Sequence, residues 1–106
     1  MKSVAVIGAG PAGIAAAKAL AEQGLQAVVF DGKSHLGGMW QDAQAAPQGP
    51  AWEGMRTNLS EHNCCFSDHS HPSDMQDFPT VPEMGKYLSG YARRFDLEKI
   101  SGFKLR

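Results

Sequence analysis

The chain has 106 residues, 42% of them hydrophobic and 20% charged, with a formal net charge of -1. That balance suits a globular domain that buries roughly 60–70% of its unfolded surface. It gives no electrostatic case for nucleic acid or an anionic membrane as a partner. No run approaches the ~18 apolar residues of a membrane helix, so no membrane segment is expected.

Met1-Lys2 and the apolar run after it superficially resemble a signal peptide, but three glycines and Pro11 interrupt the run. Lys2 to Ile7 reads instead as a short buried parallel strand. Gly8-Ala9-Gly10-Pro11-Ala12-Gly13 follows, and an alanine-rich helix runs through Ala12 to Gln23, with Gly24 as its stop. Pro11 sits in the first helical turn, where its missing N–H costs little. Gln26 to Phe30 is a second strand, and Asp31 closes it.

Strand, Gly-rich turn, helix, strand and terminal acid form the fingerprint of a dinucleotide site. Gly8 permits the tight turn, and Gly10 lets backbone approach a pyrophosphate. Gly13 lets helix and strand pack closely. The phosphates would rest on N–H groups at the positive end of the helix. Asp31 would accept hydrogen bonds from a ribose diol, which favours FAD or NAD over NADP. The fold class is therefore α/β, with a Rossmann-type parallel sheet built on a strand–helix–strand unit over residues 1–31.

Residues 32–80 hold many turn formers and little periodicity, and a loop this long tends to carry function. Within it, Gly37-Gly38-Met39-Trp40 places a second glycine pair six residues beyond the acid. Such a pair lets another backbone segment approach an extended cofactor, which suits FAD; a simple turn is the alternative. Glu61, His62, Cys64, Cys65, Asp68, His69 and His71 resemble a metal cluster, but their spacing matches no tetrahedral pattern. No metal is expected. The adjacent Cys64 and Cys65 read as reduced thiols of a cytoplasmic protein.

Order returns at Thr80, where Thr80 and Glu83 form a capping box before a helix of about Val81 to Phe95, within residues 81–96. Met84, Tyr87, Leu88, Tyr91, Ala92 and Phe95 follow its apolar spacing, while Gly85 and Gly90 weaken it. Tyr91 and Phe95 read as core, and Arg93 and Arg94 as a solvated end favoured by the helix dipole. Residues 102–106 look like the start of a further strand. The chain is therefore expected to stop in mid-fold, with poor stability and weak FAD binding when alone.

Taken in order, G-x-G-x-x-G, acid, Gly37-Gly38-Met39-Trp40, Met55-Arg56-Thr57-Asn58-Leu59, Phe66-Ser67-Asp68 and Phe78-Pro79 resemble the N-terminus of the flavin-containing monooxygenases. The likeness runs from Val4 to about Phe103. Baeyer–Villiger monooxygenases are also similar, but they usually carry Tyr-Pro-Gly and Cys-Asp where Ala51-Trp52-Glu53-Gly54 stands here.

The resemblance implies that Gly8, Ala9, Gly10, Pro11, Ala12 and Gly13 hold the FAD pyrophosphate, and that Asp31 holds the ribose. Gly37, Gly38, Met39 and Trp40 would line the far half of FAD, in a flavin-contacting loop region. Asn58 matches the asparagine placed near the isoalloxazine and nicotinamide, with Thr57 and Leu59 assisting. The implied reaction reduces FAD with NADPH and forms a flavin C4a-hydroperoxide with O₂. It then passes one oxygen to a small soft nitrogen or sulfur nucleophile.

Two alternatives stay open: an FAD- or NAD-dependent dehydrogenase, and a non-catalytic nucleotide-binding module. The second G-x-G-x-x-G that would hold NADPH is not in these 106 residues. The chain alone is thus expected to be inactive. The remainder of the enzyme, or a complementary chain, would provide that domain.

Overall fold

Alanine and valine dominate the segments Ser3–Ile7 (β1) and Gln26–Asp31 (β2), which pair as parallel strands with Ser3 opposite Gln26 and Ile7 opposite Phe30. The computed structural model describes residues 2–40, 50–100 and 102–105. A third parallel strand, Gly102–Leu105 (β3), pairs with the other edge of β2, so the sheet order is β1-β2-β3. Arg106, included in the expected strand, lies outside the described residues, as does the 41–49 part of the long loop.

Helix α1, Pro11–Glu22, links β1 to β2 and starts with proline at its first position. Ile14 and Ala17, three residues apart, are its buried face. Ala17 joins Ala9, Ala27 and Val29 in a core of small side chains, with Leu20, Leu36, Phe103 and Leu105 packed against it. Gly24 ends the helix at φ +73°. The Gly24 N–H donates to Ala21 O and the Leu25 N–H to Leu20 O, the paired bonds of a Schellman stop.

Two compact units divide the chain: Met1–Gly38 with Leu88–Arg106, and Met39–Tyr87. The first holds the sheet, α1, the end of helix α2 (Val81–Arg94) and the short helix α3 (Leu97–Ile100). Asp96 turns the chain between α2 and α3 at φ +51°, a conformation that aspartate tolerates better than most residues. Leu97 is fully buried, and α3 touches α1 and β3. Among α2 side chains of this unit, Leu88, Tyr91 and Ala92 are buried, while Phe95 beyond the helix is partly covered by Lys18.

The second unit has little regular structure, yet its backbone is well tied. Arg56 and Thr80 form an antiparallel bridge, the Thr57 N–H donates to Pro79 O at 2.9 Å, and the Glu61 N–H donates to Asp77 O at 2.8 Å. Glu61–Asn63 is one 3₁₀ turn. Among its described residues, Met55, Pro79, Val81, Met84 and Tyr87 bury apolar side chains.

The start of α2 is a complete capping box. Glu83 N–H donates to Thr80 Oγ1 at 3.3 Å, and Glu83 Oε1 accepts the Thr80 N–H at 3.0 Å. That backbone bond holds the Glu83 carboxyl below its ordinary value of 4.5, against the opposing effect of burial. A depressed folded value means that the stabilisation is present above the ordinary value and fades as pH falls through the folded one. Loss of this half of the capping box in Glu83→Ala should cost about 0.3–1.5 kcal/mol at neutral pH. Paired thermal melts should show that gap narrowing as pH drops below 4.5.

Gly85 looks like a flaw in α2 from the sequence, but a Cβ there would lie 2.6 Å from Trp40 O. The glycine lets the helix approach a backbone carbonyl of its own unit. Alanine would gain about 1 kcal/mol of helix propensity and meet an overpacking cost of about 1–3 kcal/mol. Gly85→Ala should lower stability in urea unfolding despite that better propensity.

Candidate functional site

The turn between β1 and α1 uses its three glycines in three ways. Gly8 has φ +104°, and its N–H donates to Phe30 O at 2.7 Å, which ties the turn to β2. A Cβ on Gly13 would fall 1.8 Å from Gly8 O and 3.5 Å from Val6 Cγ1, so α1 sits directly on the strand. A Cβ on Gly10 would meet nothing nearer than Gly38 Cα at 3.7 Å. Within the first unit, then, no protein atom requires Gly10 to be bare.

Gly10 is also the N-cap of α1, with extended backbone and no side-chain capping bond. Its carbonyl accepts the Ile14 N–H at 3.0 Å, and Pro11 brings no N–H of its own. The helix thus opens as a bare, electropositive backbone end, suited to an anion.

Asp31, at the end of β2, reaches back across the turn. Its Oδ2 accepts the N–H of fully buried Ala9 at 2.7 Å, and its Oδ1 accepts the Lys33 N–H at 2.8 Å. The Ala9 bond is the chief reason that its carboxyl lies below the ordinary value of 3.8. The charges of Lys33 and His35 act in the same direction. An ionised carboxylate has about four acceptor sites, so two remain for a ligand hydroxyl.

Gly37 and Gly38 both adopt positive φ, +117° and +62°. The Gly37 N–H donates to Ala9 O at 2.8 Å, and a Cβ on Gly38 would lie 3.0 Å from Gly10 Cα. The pair is pressed against the first glycine turn. Gly8 to Gly13, Asp31, Gly37 and Gly38 therefore form one cluster within the first unit.

Met39, Trp40, Thr57, Asn58 and Leu59 belong to the second unit. Met39, Asn58 and Leu59 are exposed, whereas Thr57 is only 6% exposed. The Thr57 hydroxyl donates to Leu59 O at 2.7 Å. Arg56 Nη1 donates to Gln76 Oε1 and to Phe78 O, each at 2.9 Å, and so braces the same segment.

Tyr87 is a residue whose part the sequence reading missed. Its hydroxyl donates to His69 O at 2.6 Å and accepts the Phe66 N–H at 2.7 Å, clamping both ends of the Phe66–His69 turn. His71 stacks on its ring with centroids 4.1 Å apart, and His71 Nε2 donates to Cys64 O at 2.8 Å. Helical spacing marks Tyr87 as core; only the phenolic oxygen hints that it also serves backbone far away in sequence. Among the described residues, no group of three or more His, Cys, Asp or Glu could hold a metal ion.

Such a sheet, with a bare helix start and an acid closing β2, defines a Rossmann-type dinucleotide-binding region. The family model described as flavin-binding monooxygenase-like matches residues 1–106, and the chain belongs to that family of flavoprotein oxidoreductases. Flavin-containing monooxygenase 3 of Macaca mulatta is 33% identical over 105 residues, covering 97% of this chain and 20% of that protein. The chain thus spans one fifth of that relative.

Solved structures of similar shape include the S-allyl-L-cysteine S-oxygenase of Allium sativum, with TM-score 0.78 and 26% identity over 97% of this chain and 28% of that one. A steroid monooxygenase bound to NADP gives TM-score 0.77 at 28% identity, over 97% and 20% of the two chains. An open form of cyclohexanone monooxygenase gives 0.77 at 31% identity, again over 97% and 20%.

Proposed function

We propose that these residues are the FAD-binding part of an NADPH- and O₂-dependent monooxygenase. The observation that carries this reading is the Gly8–Gly13 turn, with Asp31 bonded back to Ala9. Gly10 is bare where the protein itself leaves room for a Cβ, which fits backbone kept clear for a pyrophosphate. Gly8 to Gly13 would hold that group, and the remaining acceptor sites of Asp31 would take the ribose diol. Gly37, Gly38, Met39 and Trp40 would line the flavin half of the cofactor. The NADPH site would lie mostly in the remainder of the enzyme or in a complementary chain.

Bound FAD would supply the redox chemistry that couples NADPH oxidation to activation of O₂ for oxygen transfer. Asn58 is the residue we assign to the reacting end. Its neutral amide offers both a donor and an acceptor without adding charge, and it is exposed for contact. Thr57 and Leu59 would assist beside it.

The substrate class we favour is a small molecule with a soft nitrogen or sulfur nucleophile. The likeness to a cysteine-derivative S-oxygenase supports sulfur. A second reading, Baeyer–Villiger oxidation of a ketone, draws on the likeness to cyclohexanone monooxygenase. Ala51-Trp52-Glu53-Gly54, in place of the motif usual in that branch, favours the first. We also place the enzyme in the cytoplasm, on the two cysteines that stay unpaired side by side; no described helix is long and apolar enough to cross a membrane.

In the complete enzyme, Asn58→Ala should keep FAD but uncouple NADPH oxidation from oxygenation by about tenfold or more, the scale of a lost positioning contact. Hydrogen peroxide released per NADPH consumed reads this directly. An unchanged ratio would remove Asn58 from the reaction.

A further inference from the structure

Thr57 stands beside Asn58 yet is turned the other way. It is 6% exposed, and its N–H is taken by Pro79 O at 2.9 Å. A hydroxyl has one proton to donate, and that of Thr57 goes to Leu59 O at 2.7 Å. This bond spans Asn58 and closes a small ring of backbone around it. Asn58 and Leu59 are themselves exposed, and this bond ties their backbone to a buried side chain. Bracing continues on the other side, where Arg56 bonds Gln76 and Phe78 O and bridges Thr80.

We propose that Thr57 is a positioning residue: its hydroxyl, through the Leu59 carbonyl, fixes the backbone that aims the Asn58 amide, and it does not itself touch the cofactor. The inference rests on the role given to Asn58 above. It makes the threonine hydroxyl a determinant of coupling without making it a determinant of FAD affinity. Serine would keep the hydroxyl. Valine keeps the shape and loses the bond, and alanine loses both.

The test uses Thr57→Val, Thr57→Ala, Thr57→Ser, Asn58→Ala and the Thr57→Val/Asn58→Ala double variant of the complete enzyme. Three readouts are needed: FAD bound per chain, hydrogen exchange of the 58–60 amides, and peroxide released per NADPH. Thr57→Val and Thr57→Ala should retain FAD, with exchange and peroxide release each rising about fivefold, the worth of one ordinary hydrogen bond. Thr57→Ser should restore most of the coupling. The double variant should be no more uncoupled than Asn58→Ala, because both changes act through one amide.

Loss of FAD by the valine and alanine variants, with coupling intact in the loaded fraction, would overturn the proposal and make the hydroxyl a cofactor contact. Additive uncoupling in the double variant would overturn it too, as would failure of both variants to fold. If Asn58→Ala leaves coupling unchanged, the reading of Asn58 itself fails. If Asn58→Ala uncouples and Thr57→Val does not, the inference fails alone.

Discussion

Gly13→Ala is expected to abolish FAD retention. The new methyl would sit 1.8 Å from Gly8 O and 2.9 Å from Gly8 C, well inside contact distance. Both are backbone atoms, so no rotamer change can relieve the clash. Either α1 must lift from β1, or the Gly8 peptide must turn. Lifting α1 would open the packing around Ile14 and Ala17, both fully buried. Turning the peptide would break the Gly8 N–H bond to Phe30 O. Overpacking of this kind costs about 1–3 kcal/mol and sometimes more, a large share of a typical domain's 5–15 kcal/mol. The complete enzyme purified with this substitution should carry little or no flavin by visible absorbance. Retention equal to the parent would mean that the turn is not where the cofactor binds.

Asp31→Ala should have the second-largest effect, through two routes. The carboxylate accepts two backbone N–H groups, and one of them belongs to Ala9, which has no solvent exposure. Truncation leaves that N–H buried and unsatisfied, at a cost of about 1–3 kcal/mol. It also removes the charged acceptor proposed for the ribose diol. Hydrogen bonds to a charged group contribute about 1.5–3 kcal/mol, so FAD affinity should fall roughly 10- to 100-fold. Equilibrium dialysis against FAD would measure the loss. A lowered folded value keeps Asp31 ionised from neutrality down to below 3.8. Its contribution to folding is therefore complete above that value and lost only as pH falls through the folded one.

The glycine turn was legible because its reasons are local. Gly8 needs a positive φ, Gly13 needs closeness to the strand just before it, and Asp31 ends the strand that pairs with β1. Each demand lies within one strand–helix–strand unit and leaves a fixed spacing in the sequence. The Thr80–Glu83 box was readable on the same ground, since its partners are three residues apart.

Where partners are distant, the sequence misleads or stays silent. Gly85 looked like a weak point in a helix, because the carbonyl it accommodates belongs to Trp40. Tyr87 fitted an apolar stripe, while its hydroxyl joins Phe66 and His69. Helix α3 spans Leu97–Ile100, too short for any periodicity to register. These side chains are governed by contacts that spacing cannot encode.

The central claim is that the Gly8–Gly13 turn and Asp31 hold FAD. The most direct measurement is to denature the purified complete enzyme and identify the released nucleotide by chromatography. FAD at one per chain, sharply reduced in Gly13→Ala and Asp31→Ala, is the predicted result. NAD or NADP in its place, or FAD retained undiminished by both variants, would contradict it.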